Sequence, residues 1–140
     1  MQLLHVFKKI IIPGIISILV LSSCKKDKQD DTVFSIDGIA TKSDVVDGSA
    51  MYIKLVYNGN SYDSPALYSA SAVFNAGEAT YSISHVEKHE YMIYAFIDMN
   101  GNAVGTDDSS PDSGDYATEI SISVDHDVVV NLPDEYWLVY

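Results

Sequence analysis

Hydrophobic and polar residues alternate with a period of two through most of the chain after Val33, and turn residues recur at intervals of about 8–12 positions. In the segment 51–57, positions 51, 53, 55 and 57 are assigned to one face and positions 52, 54 and 56 to the other, and the Asn-Gly pair at 58–59 that follows is a strong turn signal. No segment shows a convincing helical period. The pattern predicts about seven to eight strands in residues 33–140, which makes the fold class all-β and fits an antiparallel, immunoglobulin-like β-sandwich.

The alternation assigns one face of each predicted strand to a core. The segment 91–97 differs, because it is apolar on both faces and therefore favours a central strand that is covered on both sides. The segment 136–140 predicts a last strand at a sheet edge. In the other strands the positions predicted to share one face are, in chain order, Phe34, Ile36 and Ala40; Met51, Ile53, Leu55 and Tyr57; Tyr68, Ala70, Ala72 and Phe74; Tyr81, Ile83 and His85; Ile120, Ile122 and Val124; and Val128, Val130 and Leu132.

Residues 1–23 have the layout of a signal peptide. Lys8 and Lys9 precede the segment 10–21, which contains no charged residue. A membrane-spanning helix needs about 20 apolar residues, and this segment is shorter and is interrupted by Pro13. We therefore expect these residues to be removed during export.

The apolar segment ends in the tetrapeptide Leu-Ser-Ser-Cys at 21–24, and Cys24 is the only cysteine of the chain. This ending resembles the bacterial lipobox, which implies cleavage by signal peptidase II before Cys24 and a covalent lipid on that residue. A core cysteine fits less well, because the charged segment 25–28 follows directly. Several acyl chains, at about 0.8 kcal/mol for each buried methylene, anchor a protein permanently.

Residues 24–32 then form a lipidated cysteine and a charged linker ahead of the domain at 33–140. A charged tail of this kind looks like that of the outer-membrane lipoproteins of Gram-negative bacteria. The resemblance implies attachment to the outer membrane on its periplasmic or its cell-surface face.

Acidic residues greatly outnumber basic ones. The chain has 20 Asp and Glu against 8 lysines, no arginine, a formal net charge of −12 and a pI near 4.3. A surface of this sign does not neutralise phosphates, so we expect no nucleic-acid partner. Hydrophobic residues make up 47% of the chain and charged residues 20%, which supports a packed core and excludes disorder for most of it.

Residues 98–115 form a long acidic loop between two predicted strands. Asp98, Asn100 and Asn102 occupy loop positions one, three and five, a spacing that points successive oxygens at one cation, and calcium is the cation expected. The acidic residues able to complete the calcium site by folding back are Asp107, Asp108, Asp112 and Asp115.

This loop is not an EF-hand. Gly101 stands at position four instead of six, where Ala103 lies, and Ser109 occupies position twelve, where a bidentate Glu is expected. The alternative is a solvated acidic turn, because Asp, Asn and Gly are also the commonest turn residues. A calcium site here is expected to be weak, with a Kd of about 10⁻⁴–10⁻³ M.

Over residues 91–102 a strand of the form Tyr-x-hydrophobic-x-Ala-Phe-x-Asp runs into an Asp-x-Asn-Gly-Asn loop, and a further strand over 77–83 precedes it. This combination resembles the prealbumin-like, carboxypeptidase-regulatory-like β-sandwich domains of bacterial surface proteins. The pair at 89–90 is His-Glu, where that family usually has a glycine. The resemblance extends over about residues 33–132 and implies a prealbumin-like fold and a non-catalytic adhesion, scaffold or binding module.

Two histidines, His85 and His89, are four residues apart beside Glu87 and Glu90, and a metal-dependent envelope enzyme would use this group. In a strand and a turn, however, the two rings are not directed at one ion, and His126 belongs to a predicted hairpin tip. The chain contains neither a G-x-S-x-G elbow nor a phosphate-binding glycine loop. We therefore predict that the protein is not an enzyme.

The ten tyrosines raise a second hypothesis, because sugar faces stack on aromatic rings. Tyr62, Tyr68 and Tyr116 are the candidates, although tyrosine is also a favoured strand residue. The sequence thus predicts an envelope lipoprotein that acts as a binding, adhesion or scaffold module for a protein or glycan ligand. A glycan-binding accessory lipoprotein is the alternative.

We expect mass analysis of the mature protein to find Cys24 as the first residue, with diacylglycerol and an N-acyl chain attached. Protease treatment of intact cells tests in the same experiment whether the domain is displayed on the surface. A mature protein that retains residues 1–23, or that is released without lipid into the medium, contradicts the anchor.

Overall fold

Eight β-strands and one 3₁₀ turn make up the secondary structure of residues 32–104 and 110–140, which are the residues that the computed structural model describes. The predicted signal peptide, Cys24 and the linker up to residue 31 lie outside the described residues. The strands are β1 (Val33–Thr41), β2 (Ala50–Tyr57), β3 (Tyr68–Val73), β4 (Glu78–Glu87), β5 (His89–Asp98), β6 (Tyr116–Val124), β7 (Val128–Val129) and β8 (Leu138–Val139), and the 3₁₀ turn is Asp134–Tyr136.

The strands form two sheets that enclose one core. One sheet has the order β4-β1-β7 and the other has the order β3-β2-β5-β6-β8. The alternating residues predicted from the sequence supply most of the core, because every second side chain of a strand points to the same face. The predicted all-β sandwich is confirmed. Its largest fully buried side chains are Tyr91, Phe74, Phe96, Ile36, Met51, Ile53, Leu55, Ile93, Ile97 and Leu132.

Strand β5 lies at the centre of the five-stranded sheet, between β2 and β6. Its inward residues pack into the core, and Phe96 on its outer face is also buried, at 2% exposure. The prediction of a central strand is therefore confirmed, while its outer face is only partly covered, since Met92 and Tyr94 are half-buried. In the same way, the segment predicted as an edge strand contributes β8 to the edge of this sheet.

A β-bulge changes the face on which the end of β4 lies. Ile36 of β1 pairs with Ile83, but Phe34, two residues earlier, pairs with Val86, three residues further along. His85 lies in this bulge with a φ of 60°, in the left-handed region. The prediction that His85 shares a face with Ile83 is wrong, because the extra residue leaves His85 exposed and buries Val86 instead.

Strand β7 runs parallel to β1, which differs from the purely antiparallel arrangement predicted. After β6 the chain turns at 125–127 and crosses to the other sheet, where it lies beside β1 in the same direction. Backbone hydrogen bonds continue past the two-residue strand, since the amides of Val130 and Leu132 donate to the carbonyls of Asp37 and Ile39. The predicted strand through Leu132 is thus a parallel, partly irregular edge.

Gly38 of β1 lies where two parts of the smaller sheet approach closely. The Tyr81 ring crosses it, and the Tyr81 hydroxyl donates a hydrogen bond to the carbonyl of Val130 at 2.5 Å. A Cβ added to Gly38 would lie 1.9 Å from that carbonyl oxygen and 2.8 Å from the ring. Burial of the Tyr81 phenol, which is 3% exposed, raises its pKa.

We expect Gly38→Ala to destabilise the domain by about 3 kcal/mol or more, because the methyl group meets backbone and not a flexible side-chain end. Urea unfolding of the variant measures the change. The matched control is Thr80→Ala on the neighbouring strand, where the side chain is exposed and the expected change is within about 0.5 kcal/mol. Equal stability of the Gly38→Ala variant and the unmodified domain would show that the close approach does not exist.

Candidate functional site

The outer face of the five-stranded sheet is rich in aromatic side chains. On neighbouring strands, Tyr52 and Phe96 stack with ring centroids 5.2 Å apart. The connection between β2 and β3 passes over this face, since the Tyr94 hydroxyl donates to the carbonyl of Asn60 at 3.1 Å and Ser121 contacts Asn58. A surface that would otherwise expose apolar rings to water is thereby partly covered.

Lys54 fixes the position of this connection. Its side chain is only 6% exposed, and its amine lies 4.1 Å from the centroid of the Tyr62 ring. The same amine is 3.5 Å from the carbonyl oxygen of Ser64. Because a buried ammonium needs compensating contacts, the cation–π interaction and the carbonyl hold Tyr62 against the sheet.

Tyr62 in turn packs against Tyr94 in a T-shaped arrangement, with ring centroids 5.2 Å apart and an interplanar angle of 79°. Beside this pair opens a groove of about 520 Å³, which we name the tyrosine groove. Such a volume is within the range of small-ligand sites. Its aromatic and acidic lining residues are Tyr62, Tyr94, Tyr136, Tyr140, Asp63 and Glu119.

The phenols of Tyr62 and Tyr94 stay neutral at physiological pH. Burial raises the pKa of Tyr62 to about 12, Asp63 adds to the effect, and a hydrogen bond with Ser110 opposes it. Burial also raises the pKa of Tyr94, with a further contribution from Glu119. The groove therefore combines four tyrosine rings with two acidic side chains.

Residues 134–140 form the far wall of the groove, and Trp137 holds them in place. Its indole N–H donates to the carbonyls of Thr41 at 3.1 Å and Leu132 at 3.3 Å. Leu138 and Val139 then pair with β6, and the amide of Tyr140 donates to the carbonyl of Asp115 at 2.8 Å. The wall is thus tied to both sheets.

An ion pair strengthens the same attachment. The Lys42 amine lies 2.7 Å from Oδ1 of Asp134. The other oxygen of this carboxylate, Oδ2, accepts hydrogen bonds from the amide and the hydroxyl of Ser43. These donors hold the pKa of Asp134 well below its usual range. Hydrogen bonds from Lys42 to Asp134 and Asp44 raise the pKa of the Lys42 amine.

In the acidic loop, buried carboxylates are bound to backbone amides. Asp98 is 5% exposed and accepts from the amides of Gly101 at 2.7 Å and Ala103 at 3.0 Å. Asp115 is 1% exposed and accepts from the amides of Met99 and Asp112, both at 2.9 Å. These two carboxylates fix the loop backbone at its two ends.

The structure brings three of the predicted ligand side chains together. Asp112 accepts hydrogen bonds from the side-chain amides of Asn100 at 2.8 Å and Asn102 at 2.5 Å. Asp107 and Asp108 lie outside the described residues. Within residues 32–104 and 110–140, no group of three or more His, Cys, Asp and Glu side chains is placed to hold a metal ion.

The three histidines named from the sequence lie at different places in the fold and have different contacts. His85 occupies the bulge of β4, where its Nδ1 is 3.1 Å from the hydroxyl of Ser84. His89 begins β5 and packs against Tyr57, with ring centroids 4.5 Å apart. His126 lies in the turn after β6, and its Nδ1 contacts the adjacent Asp125 carboxylate at 2.5 Å.

Of the three tyrosines proposed for sugar stacking, only Tyr62 lines the groove. Tyr68 packs against Tyr91 in the core, with ring centroids 6.0 Å apart. Tyr116 donates a hydrogen bond to Asp44, and the Lys42 amine lies 4.6 Å from its ring centroid.

Three groove tyrosines were missed from the sequence: Tyr94, Tyr136 and Tyr140. The signal available in the sequence was that Tyr94 points away from the core in a strand that is apolar on both faces. An outward aromatic ring on a central strand requires a cover or a ligand, and the structure shows a partial cover with an open groove beside it.

Comparison of the chain with protein-family models, with curated proteins and with solved structures finds no match in any of the three. The resemblances to the lipobox and to prealbumin-like domains therefore remain predictions. Within the described part of the chain there is also no helix with the length and hydropathy needed to cross a membrane.

Proposed function

We propose that the protein is a non-catalytic binding module of the bacterial envelope, attached to the outer membrane by a lipid on Cys24, with the tyrosine groove as its ligand site. The single observation that supports this most is the groove itself, an open aromatic cleft on the outer face of a rigid sheet. Sites of this kind, built on regular strands, hold their side chains in place before a ligand arrives.

A glycan is the ligand that the groove favours. Tyrosine rings provide flat surfaces on which the C–H faces of sugars stack, and their hydroxyls provide polar groups at the edges. Asp63 and Glu119 add carboxylates that accept hydrogen bonds from sugar hydroxyls. An adhesion or scaffold role with a protein ligand is the alternative use of the same surface.

The topology is compatible with presentation of the groove away from the bilayer. Strand β1 begins at Val33, directly after the proposed linker, and Val33 pairs with Glu87 at the turn into β5. The ten residues of β5 extend about 33 Å from that end, and the acidic loop follows at the opposite end. Tyr94 lies midway along β5, at the side of the domain.

For any polysaccharide that the domain binds, we expect Tyr136→Ala to raise the Kd about tenfold, because Tyr136 is 45% exposed and lines the groove. Affinity gel electrophoresis against a panel of soluble polysaccharides identifies that polysaccharide and measures the change. Tyr57→Ala is the matched control, since Tyr57 is similarly exposed, at 41%, but lies outside the groove. Equal loss in both variants, or no retention by any polysaccharide, would exclude glycan binding in the groove.

We also propose that calcium stiffens the acidic loop. Asp112 and the side chains of Asn100 and Asn102 are already within hydrogen-bond distance, and carboxylate and amide oxygens are the ligands that calcium prefers. Both amides now direct nitrogen at Asp112, so binding requires their oxygens to turn inward. The oxygens of Asp98 and Asp115 remain with the backbone amides and keep the loop closed.

Calcium at ten times its Kd is expected to stabilise the mature domain by about 1.4 kcal/mol, which raises Tm by several degrees. Scanning calorimetry with millimolar calcium and with chelator measures the shift. Asp112→Asn is expected to remove it, while Asp125→Asn, at the opposite end of the sheet, is expected to retain it. Identical melting with calcium and with chelator would leave the loop as a solvated acidic turn.

A further inference from the structure

We infer that the tyrosine groove selects saccharides that carry protonated amino groups over saccharides that carry carboxylates. This inference rests on the proposed role of the groove as the ligand site. It goes further by stating the charge of the ligand, which follows from the groups that surround the tyrosine rings.

The charged side chains that line the groove are acidic. Asp63 and Glu119 contribute carboxylates, and none of the described lining residues is a Lys, Arg or His. The nearest lysine with a structural link to the groove is Lys54, whose 6%-exposed side chain lies against Tyr62 and Ser64. Its amine is held by Tyr62 and Ser64, and Lys54 is not one of the residues that line the groove.

The register of β5 and β6 places a carboxylate beside an aromatic face. Tyr94 and Glu119 are directly opposite each other in the β5–β6 pair, and both side chains lie on the outer face of the sheet. The face of a tyrosine ring carries negative electrostatic potential, so an ammonium group over Tyr94 gains a cation–π interaction. The same ammonium group is within reach of the exposed Glu119 carboxylate.

The rings are held in position before any ligand binds. The Tyr94 hydroxyl donates a hydrogen bond to the carbonyl of Asn60, and Tyr62 is held between the Lys54 amine and the Tyr94 ring. Preorganised rings lose little conformational entropy when a sugar stacks on them. Among sugars of similar shape, the difference in affinity is then set mainly by their charge.

The charge of the wider surface also favours cationic ligands over anionic ones. Residues 98–140 contain ten acidic side chains and no lysine, and both β6 and β8 belong to this segment. A field of this sign attracts cationic ligands and repels polyanionic ones over about one Debye length, which is about 10 Å at 0.1 M salt. Uronate chains are thus disfavoured both at contact and on approach.

The test uses three β-1,4-linked tetrasaccharides that differ in charge: tetraglucosamine, cellotetraose and tetraglucuronate. Calorimetric titration of the full mature domain at about pH 5.5 keeps the sugar amines protonated and the sugar carboxyls ionised. We expect the Kd of tetraglucosamine to be about tenfold lower than that of cellotetraose, and the Kd of tetraglucuronate to be the highest. The tenfold ratio is expected to shrink at about 0.5 M salt.

Glu119→Gln is expected to reduce the ratio between tetraglucosamine and cellotetraose to about threefold or less. Glu78→Gln makes the same change in net charge on an exposed residue of the other sheet and is expected to keep the ratio at about tenfold. Equal binding of all three sugars, or an equal effect of both variants, overturns the charge selection while the groove remains a glycan site. Binding of none of the three overturns the charge selection together with glycan binding in the groove, and leaves the protein ligand as the use of this surface.

Discussion

Trp137 is the side chain on which the arrangement of the groove depends. Its indole is 5% exposed and bonds to the carbonyl of Thr41, the last residue of β1 in the smaller sheet. The next residue, Leu138, begins β8 in the larger sheet. One buried ring therefore holds the chain at the point where it passes from one sheet to the other. Truncation of such a ring to alanine typically costs about 3–5 kcal/mol, and here it would also release the wall that contains Tyr136 and Tyr140.

The acidic residues of this protein serve two different structural roles. Asp98 and Asp115 are buried and accept hydrogen bonds from backbone amides, so they stabilise turns that would otherwise leave donors unpaired. Glu119 and Asp63 lie at the groove, where their carboxylates are available to a ligand. The pI near 4.3 reflects every acidic residue alike, so composition alone does not separate these roles. The separation comes from burial.

Local pattern predicted the strands well wherever the apolar positions of a strand followed a regular pattern. It placed β2 and β5 correctly, because Met51, Ile53 and Leu55 alternate without interruption and the segment 91–97 is apolar on both faces. It failed at His85, since a bulge adds one residue without any change in the hydrophobic pattern before it. It also missed the direction of β7, because a parallel and an antiparallel edge strand of this length have the same residue pattern.

The sequence by itself determined the fold class, the central place of β5 and the acidic character, because composition and local period are properties of neighbouring residues, and the anchor at Cys24 stays a prediction from the sequence. Only the tertiary structure decided which tyrosines share a groove, since Tyr62, Tyr94 and Tyr136 are far apart along the chain and meet through sheet pairing and the crossing at Trp137. It likewise decided that Tyr68 packs in the core. Contacts of this kind depend on register and on connections between sheets, which residue periodicity does not specify.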